Sequence, residues 1–163
     1  MTEREIYSAL TARFGEKILE FQDSETANPA AVVIPAVLGE LMTYLKDSED
    51  TLFDSLMCLS GNDPGAEEPL EVVYHLYSMM HAHHFTVKTR VPRENGHVPS
   101  VALLWRTADW HEREAYDMYG IVFDGHPDLK RILLEEDWEG HPLRKDYVAA
   151  ETYRGMTIAK VKE

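Results

Sequence analysis

Residues 110–133, WHEREAYDMYGIVFDGHPDLKRIL, pack charged, aromatic, glycine and histidine side chains at a density found nowhere else in this 163-residue chain. The first half of the stretch has helical spacing. A helix starting at Thr107 or Asp109 runs to Tyr119, where Gly120 serves as the C-terminal glycine. At about 100° per residue, Trp110, Arg113, Glu114 and Asp117 share one face, and Glu112 falls on the other with Ala108, Ala115 and Tyr119. Both faces therefore mix aromatic and ionised groups, and two readings stay open. A plain surface helix would carry an Arg113–Asp117 pair at i,i+4, worth about 0.3 kcal/mol. A helix clamped between the domain body and something else would have its charges met across the contact. Catalysis is the weaker reading. Glu112 and Glu114 point to different sides, and His111 has Ala115 rather than a second ligand at i+4.

Beyond Gly120 the chain changes character. Residues 121–123 can form one last short strand, and then Gly125-His126-Pro127-Asp128-Leu129-Lys130-Arg131 is echoed by Gly140-His141-Pro142-Leu143-Arg144-Lys145-Asp146. Glycine followed two residues later by proline blocks regular helix, so both phrases are turns or extended segments. Residues 148–163 show no periodicity. Net charge divides at the same place: −11 over residues 1–123 and −2 over residues 124–163. So long an irregular segment, furnished with Trp138, Tyr147, leucine and isoleucine, reads as an arm that needs a surface to lie on. The expected organisation is an α+β body over residues 1–123, including the helix, and an extended C-terminal arm over residues 124–163 that is not an independent domain.

Working back toward the start, the body reads as one two-layer unit. Thr2 and Glu5 form a capping box before Ile6, Leu10 and Phe14 at helical spacing, with Gly15 ending the helix. Residues 18–22 (ILEFQ) and 31–34 (AVVI) read as strands paired across the loop at Asn28-Pro29. Pro35 opens a second helix with a stripe of Val37, Leu38, Leu41, Met42 and Leu45. Residues 53–60, 71–78 and 84–91 read as three further strands. In the last, Phe85, Val87, Thr89 and Val91 alternate with His84, Thr86, Lys88 and Arg90, so one sheet face should be wet. Ser100 reads as a cap for a short helix over residues 101–105. The predicted order is α-β-β-α-β-β-β with helices on one mixed sheet, then the charged helix and the arm: an α+β fold.

Composition narrows the function. Hydrophobic residues at 44% and charged residues at 28% are globular values. A chain of this length buries roughly two-thirds of its unfolded surface, enough for one core. The formal charge of −13, from 16 basic and 29 acidic residues, argues against a phosphate-binding or anionic-lipid-binding face. Cys58 is the only cysteine, so neither an intrachain disulfide nor a four-cysteine iron–sulfur cluster is available. The opening MTEREIYSAL has no secretory apolar run, and the longest apolar run is broken at Pro35, so a soluble chain in a reducing compartment is expected. There is no phosphate loop, dinucleotide fingerprint or GxSxG elbow. His75, His81, His83 and His84 form the one candidate metal group. They lack an acidic residue or cysteine at ligand spacing, which favours a polar hairpin connection.

Two motifs carry a resemblance. Glu112-Arg113-Glu114, Asp117, His126, Lys130 and Ile132-Leu133, at their spacing, resemble the signature of the 30 kDa (C) subunit family of proton-pumping NADH:quinone oxidoreductase, respiratory complex I. DWEGHPLRKDY at residues 137–147 resembles the family's second hallmark. YHLYS at 74–78 and SVALLW at 100–105 are weaker echoes in the expected order. The resemblance covers roughly residues 30–150. It implies a non-catalytic peripheral-arm protein that binds no flavin, iron–sulfur cluster or metal. Such a protein lies on the cytoplasmic side of the cell membrane, docked on the large quinone-site (D) subunit near the cluster-bearing (B and I) subunits. Carried over residue by residue, the partner interface would comprise Trp110, Glu112, Arg113, Glu114, Tyr116, Asp117, His126, Pro127, Lys130, Arg131, Trp138, His141, Pro142, Arg144, Lys145, Asp146 and Tyr147. Complexes fed by ferredoxin or a deazaflavin donor, and membrane-bound hydrogenases, use a similar subunit. A small metal-dependent hydrolase built on the hairpin histidines is the rival from another class.

Overall fold

A computed structural model describes residues 1–23 and 28–157. Helix α1 (Glu3–Phe14) begins at the Thr2 capping box, in which the Glu5 amide donates to Thr2 Oγ1 and the Thr2 amide to Glu5 Oε2. Its buried stripe is Ile6, Leu10 and Phe14. Strands β1 (Ile18–Gln22) and β2 (Ala30–Val33) pair antiparallel, as the sequence predicts. A 3-10 turn opened by Pro35 then leads into α2 (Leu38–Asp47), which buries Leu38, Leu41, Met42 and Leu45.

Three longer strands follow: β3 (Ser55–Asn62), β4 (Leu70–Ser78) and β5 (His83–Val91). The sheet order is β1-β2-β5-β4-β3, antiparallel except that β2 runs parallel to β5. The sheet is therefore mixed, and the α+β expectation holds. Its inner face carries Leu70, Val72, Tyr74 and Leu76 from β4 and Phe85, Val87, Thr89 and Val91 from β5, all buried. The helices close over these side chains to form one core. The outer face bears the alternate set. Lys88 reaches Gln22, and Arg90 bridges Glu20 and Glu71 at 2.8 and 3.0 Å. Period-two patterning thus identified the wet face of β5 correctly, with Thr86 the one buried member of that set.

Strand β6 (His97–Pro99) pairs parallel with β7 (Val122–Asp124), bracketing helix α3 (Arg106–Tyr119). Here the sequence expectation needs correction. Residues 101–105 form a single turn rather than a helix, with Ser100 Oγ accepting from the Ala102 amide at its start. Trp105 is the reason: it is extended (φ −132°, ψ 121°) and its indole is buried with Nε1 donating to the Phe53 carbonyl, so the chain leaves the helical path there. One helix, starting at Arg106, replaces the two expected. Helix α3 lies beside β3, the edge strand of the sheet. His111 Nδ1 accepts from the Leu59 amide and the Thr107 hydroxyl donates to the Leu56 carbonyl. Two polar side chains thereby occupy backbone groups of a strand edge otherwise open to pairing with another chain.

Downstream of β7 the chain runs through turns to a small hairpin, β8 (Thr152–Tyr153) with β9 (Met156–Thr157), which the lack of periodicity had hidden. The remainder of that tail, residues 158–163, lies outside the described residues. Among the described residues no helix is long and apolar enough to cross a membrane.

Candidate partner interface

Asp117 sits on α3 with its carboxylate fully buried. Helical geometry groups it with Trp110 and Arg113, on the face opposite Glu112. The arm folds back over that end of the helix and covers it. One oxygen, Oδ1, meets the Arg131 guanidinium at 2.7 Å. The other, Oδ2, accepts three consecutive backbone amides, Ile132, Leu133 and Leu134, at 3.1, 2.8 and 3.0 Å. Burial pushes the carboxyl up, but these amides and Arg131 outweigh it and hold the group below the usual carboxylate range. Arg113 therefore does not pair with Asp117. Its side chain stacks on the Trp110 ring, 5.0 Å from the centroid, and donates from Nε to the Lys130 carbonyl.

The arm also completes the C-terminus of α3. The last carbonyls of a helix lack intrahelical donors and carry the negative end of its dipole. His141 Nδ1 donates to the Asp117 carbonyl at 2.9 Å, and the Leu143 amide to that of Met118 at 3.2 Å. Arg144 Nε donates to the Tyr119 carbonyl at 2.5 Å. A donating Nδ1 fits an uncharged His141, whose pKa burial lowers. Gly120 makes the approach possible: its φ is +73°, and a Cβ there would stand 2.4 Å from His141 Nε2.

A second carboxylate, Asp63, holds the far end of the arm. It is buried in the turn after β3 and takes both terminal nitrogens of Arg93 at 2.7 Å, the Gly65 amide at 3.1 Å and the Lys145 amide at 2.7 Å. Arg93, backed by the amides and opposed only by burial, holds its pKa at about 2. Arg93 also bonds Asp146 at 2.8 Å. Neither Asp63 nor Arg93 stood out in the sequence. Asn62-Asp63-Pro64-Gly65 reads locally as a turn, and nothing local ties it to Lys145, eighty-two residues beyond Asp63.

Glu112 faces inward, fully buried, with Ser100 Oγ donating at 2.6 Å and the Val101 amide at 2.7 Å. Burial raises its pKa, more than these two bonds lower it. Beside it His126 has a fully buried side chain, with Nε2 donating to the Asp109 carbonyl and Nδ1 accepting from the Asp128 amide. The Tyr74 hydroxyl, raised by burial and then by the Glu112 charge, is buried with no hydrogen-bond partner among the described residues.

The seventeen expected interface residues thus divide. The carboxylates of Glu112 and Asp117 are enclosed, and the charges of both are met within the chain rather than across a contact with another. The polar groups of His126, Arg131, His141 and Arg144 also bind the chain's own backbone. Trp138 packs at a tilt against Tyr153, ring centroids 5.0 Å apart, while Pro142, Tyr116 and Tyr147 are half-buried. Trp110, Glu114, Pro127, Lys130, Lys145 and Asp146 remain exposed, Trp110 at 62%. The rings of His81 and His83 lie 5.3 Å apart, but their Nε2 atoms reach the Glu49 and Thr51 carbonyls, and His84 approaches Glu3. Among the described residues no three His, Cys, Asp or Glu side chains gather as metal ligands.

Comparison with known proteins bears on the two motifs directly. A family model described as "Respiratory-chain NADH dehydrogenase, 30 Kd subunit" matches residues 31–153. The chain belongs to this family. The C subunit of the NADH-quinone oxidoreductase of Chlorobium phaeobacteroides is 44% identical over 93% of this chain and 92% of its own length. That of Chloroherpeton thalassium is 42% identical over 93% of this chain, which spans 63% of that longer relative. The fold of the 30 kDa family is matched in a solved structure of a trypsin-resistant fragment (1–134) of Nqo5, at TM-score 0.64 and 30% identity over 76% of this chain and 98% of the fragment. A chain of the membrane-bound sulfane sulfur reductase, an archaeal respiratory membrane complex, shares the fold at TM-score 0.71 and 23% identity, over 89% of this chain and 85% of that one.

Proposed function

We propose that this chain is a non-catalytic peripheral subunit of a proton-translocating NADH:quinone oxidoreductase, and that it orders the quinone module by docking on neighbouring subunits. Membership of the 30 kDa family carries the reading, supported by relatives named as the C subunit of NADH-quinone oxidoreductase over nearly the whole of this chain. The partners are the large quinone-site (D) subunit and the cluster-bearing (B and I) subunits. The position is peripheral, on the cytoplasmic side of the membrane. The isolated chain carries no NADH oxidation and binds neither flavin nor metal.

The site geometry supports an organising role over a chemical one. The two buried acids of α3 are both engaged by groups that lock backbone in place, Glu112 at the 100–101 turn and Asp117 at the arm. The arm, as far as residue 157, serves as a strap on the body rather than a domain of its own. The fold is shared with a chain of a sulfane sulfur reductase complex, so fold alone does not select the electron donor. Identity to the NADH-quinone relatives favours NADH over ferredoxin or a deazaflavin donor.

The test is replacement in the native host. Membranes lacking this chain should lose NADH:quinone oxidoreductase activity and regain it with the wild-type chain. Undiminished activity in the deletion strain refutes the assignment.

A further inference from the structure

Among the described residues Arg113, like Arg13, Arg106 and Arg144, meets no carboxylate within ion-pair distance, although the chain has 29 carboxylate side chains against 16 basic ones. Its helical neighbour Asp117 is taken by Arg131, and Asp128 across the seam is taken by Lys130 at 2.8 Å. Only Nε has a partner, the Lys130 carbonyl, which leaves the two terminal nitrogens without one among the described residues. Those nitrogens form the fork that binds a carboxylate in bidentate fashion.

The fork is held beside an unused apolar surface. The guanidinium lies over the Trp110 ring, so each side chain restricts the other before any partner arrives. The indole is 62% exposed, and Leu133, pinned by its amide to Asp117 one helical turn beyond Arg113, is 62% exposed as well. Trp110, Arg113 and Leu133 thus form a strip along the seam between α3 and the arm. Trp and Arg are the residue types that dominate binding energy at protein contacts, and prior ordering lowers the entropic cost of docking.

We infer that this strip is a docking site for a different protein chain, one presenting a carboxylate beside an apolar slot: the slot takes the Trp110 indole and the carboxylate takes the Arg113 fork. A second copy of this chain is disfavoured because two bodies of charge −13 repel. The inference rests on the function proposed above and adds the residues and the partner chemistry.

The test places a benzoylphenylalanine photo-cross-linker at position 110 of the tagged full chain, expressed in its host and recovered from detergent-solubilised membranes. The expected product is a cross-link to another chain of the quinone reductase, in a segment bearing Asp or Glu. Neutralising that acid should lower recovery of the complex by the same factor as R113Q, at least fivefold, while R113K retains part of it. The melting temperature of each isolated variant should stay near that of the wild type, since Trp110 is mostly exposed. A complex that assembles without a cross-link from position 110 overturns the inference, as does a cross-link to a second copy. Equal recovery with W110A/R113Q and wild type overturns it too. Failure of the wild-type chain to recover any other chain of the quinone reductase instead removes the function on which the inference rests.

Discussion

Asp117 and Arg131, fourteen residues apart in the chain, meet at 2.7 Å with the Asp117 carboxylate wholly buried and the Arg131 side chain only 16% exposed. A bare arginine pairing would leave one carboxylate oxygen unsatisfied inside the protein. The amides of Ile132, Leu133 and Leu134 fill that need, and so bind the backbone of the arm as well as its charge. Removing one member of such a buried set leaves the other uncompensated, which typically costs about 3–5 kcal/mol. Asp117→Ala should therefore destabilise the chain by about that much and release the arm. Hydrogen exchange at Ile132–Leu134 rising to solvent rates, with α1 and β4 still protected, is the pattern to look for. Uniform loss everywhere would show that body and arm melt as one.

Asp63 should govern acid stability. Its folded pKa, about 2, lies below the ordinary aspartate value near 3.8, so its contribution is complete above that value and is lost as pH falls toward 2. At 1.36 kcal/mol per unit, the contribution is about 2 kcal/mol. In Asp63→Asn the stability lost between pH 4 and pH 2 should shrink by about this amount, read from urea midpoints, and the Lys145 amide should lose protection at neutral pH.

Glu112 should respond in the opposite sense. Its folded pKa is raised by burial, so it favours folding most at low pH and less as pH rises through its folded value. Glu112→Gln removes the charge, keeps an acceptor for the Val101 amide, and lets the Ser100 hydroxyl rotate to accept from the new amide group. The variant should be at least as stable as wild type at pH 8 and show a flatter decline as pH rises above the ordinary glutamate value near 4.5. A large loss of melting temperature at pH 8 would mean that the ionised carboxylate itself is required.

Gly120→Ala tests the close approach of arm and helix. The positive φ costs an alanine about 1–2 kcal/mol, and the added methyl would collide with His141 and Arg144. The melting temperature should fall, and the amide of Leu143, which caps Met118, should lose protection first.

Much of the fold was written locally. The Thr2–Glu5 capping box, the 3.6-residue stripe of α2 and the strict alternation of β5 each depend on neighbours within a few residues, and each came out as expected. Trp105 misled because a continuous apolar run, VALLW, looks helical until the indole finds its acceptor at Phe53, fifty-two residues earlier. The motifs named residues that the fold brings together, but not the contacts they make. The ERE-x-x-D spacing lies on α3, and the two GHP phrases lie on the arm that folds back over it. Which charges would be enclosed depended on the arm folding back onto α3, and no periodicity reports that. Asp63 and Arg93 were missed for the same reason: Asp63 meets the Lys145 amide, eighty-two residues away, and Arg93 meets the Asp146 carboxylate, fifty-three residues away.

The most direct test of the central claim is co-purification. The tagged full chain, expressed at native level and recovered from detergent-solubilised membranes of its host, should bring with it in stoichiometric amount the cluster-bearing and quinone-site subunits of an NADH:quinone oxidoreductase, with NADH-dependent quinone reduction in the same fraction. Recovery of the chain alone, or with partners that carry no redox centre, would contradict it.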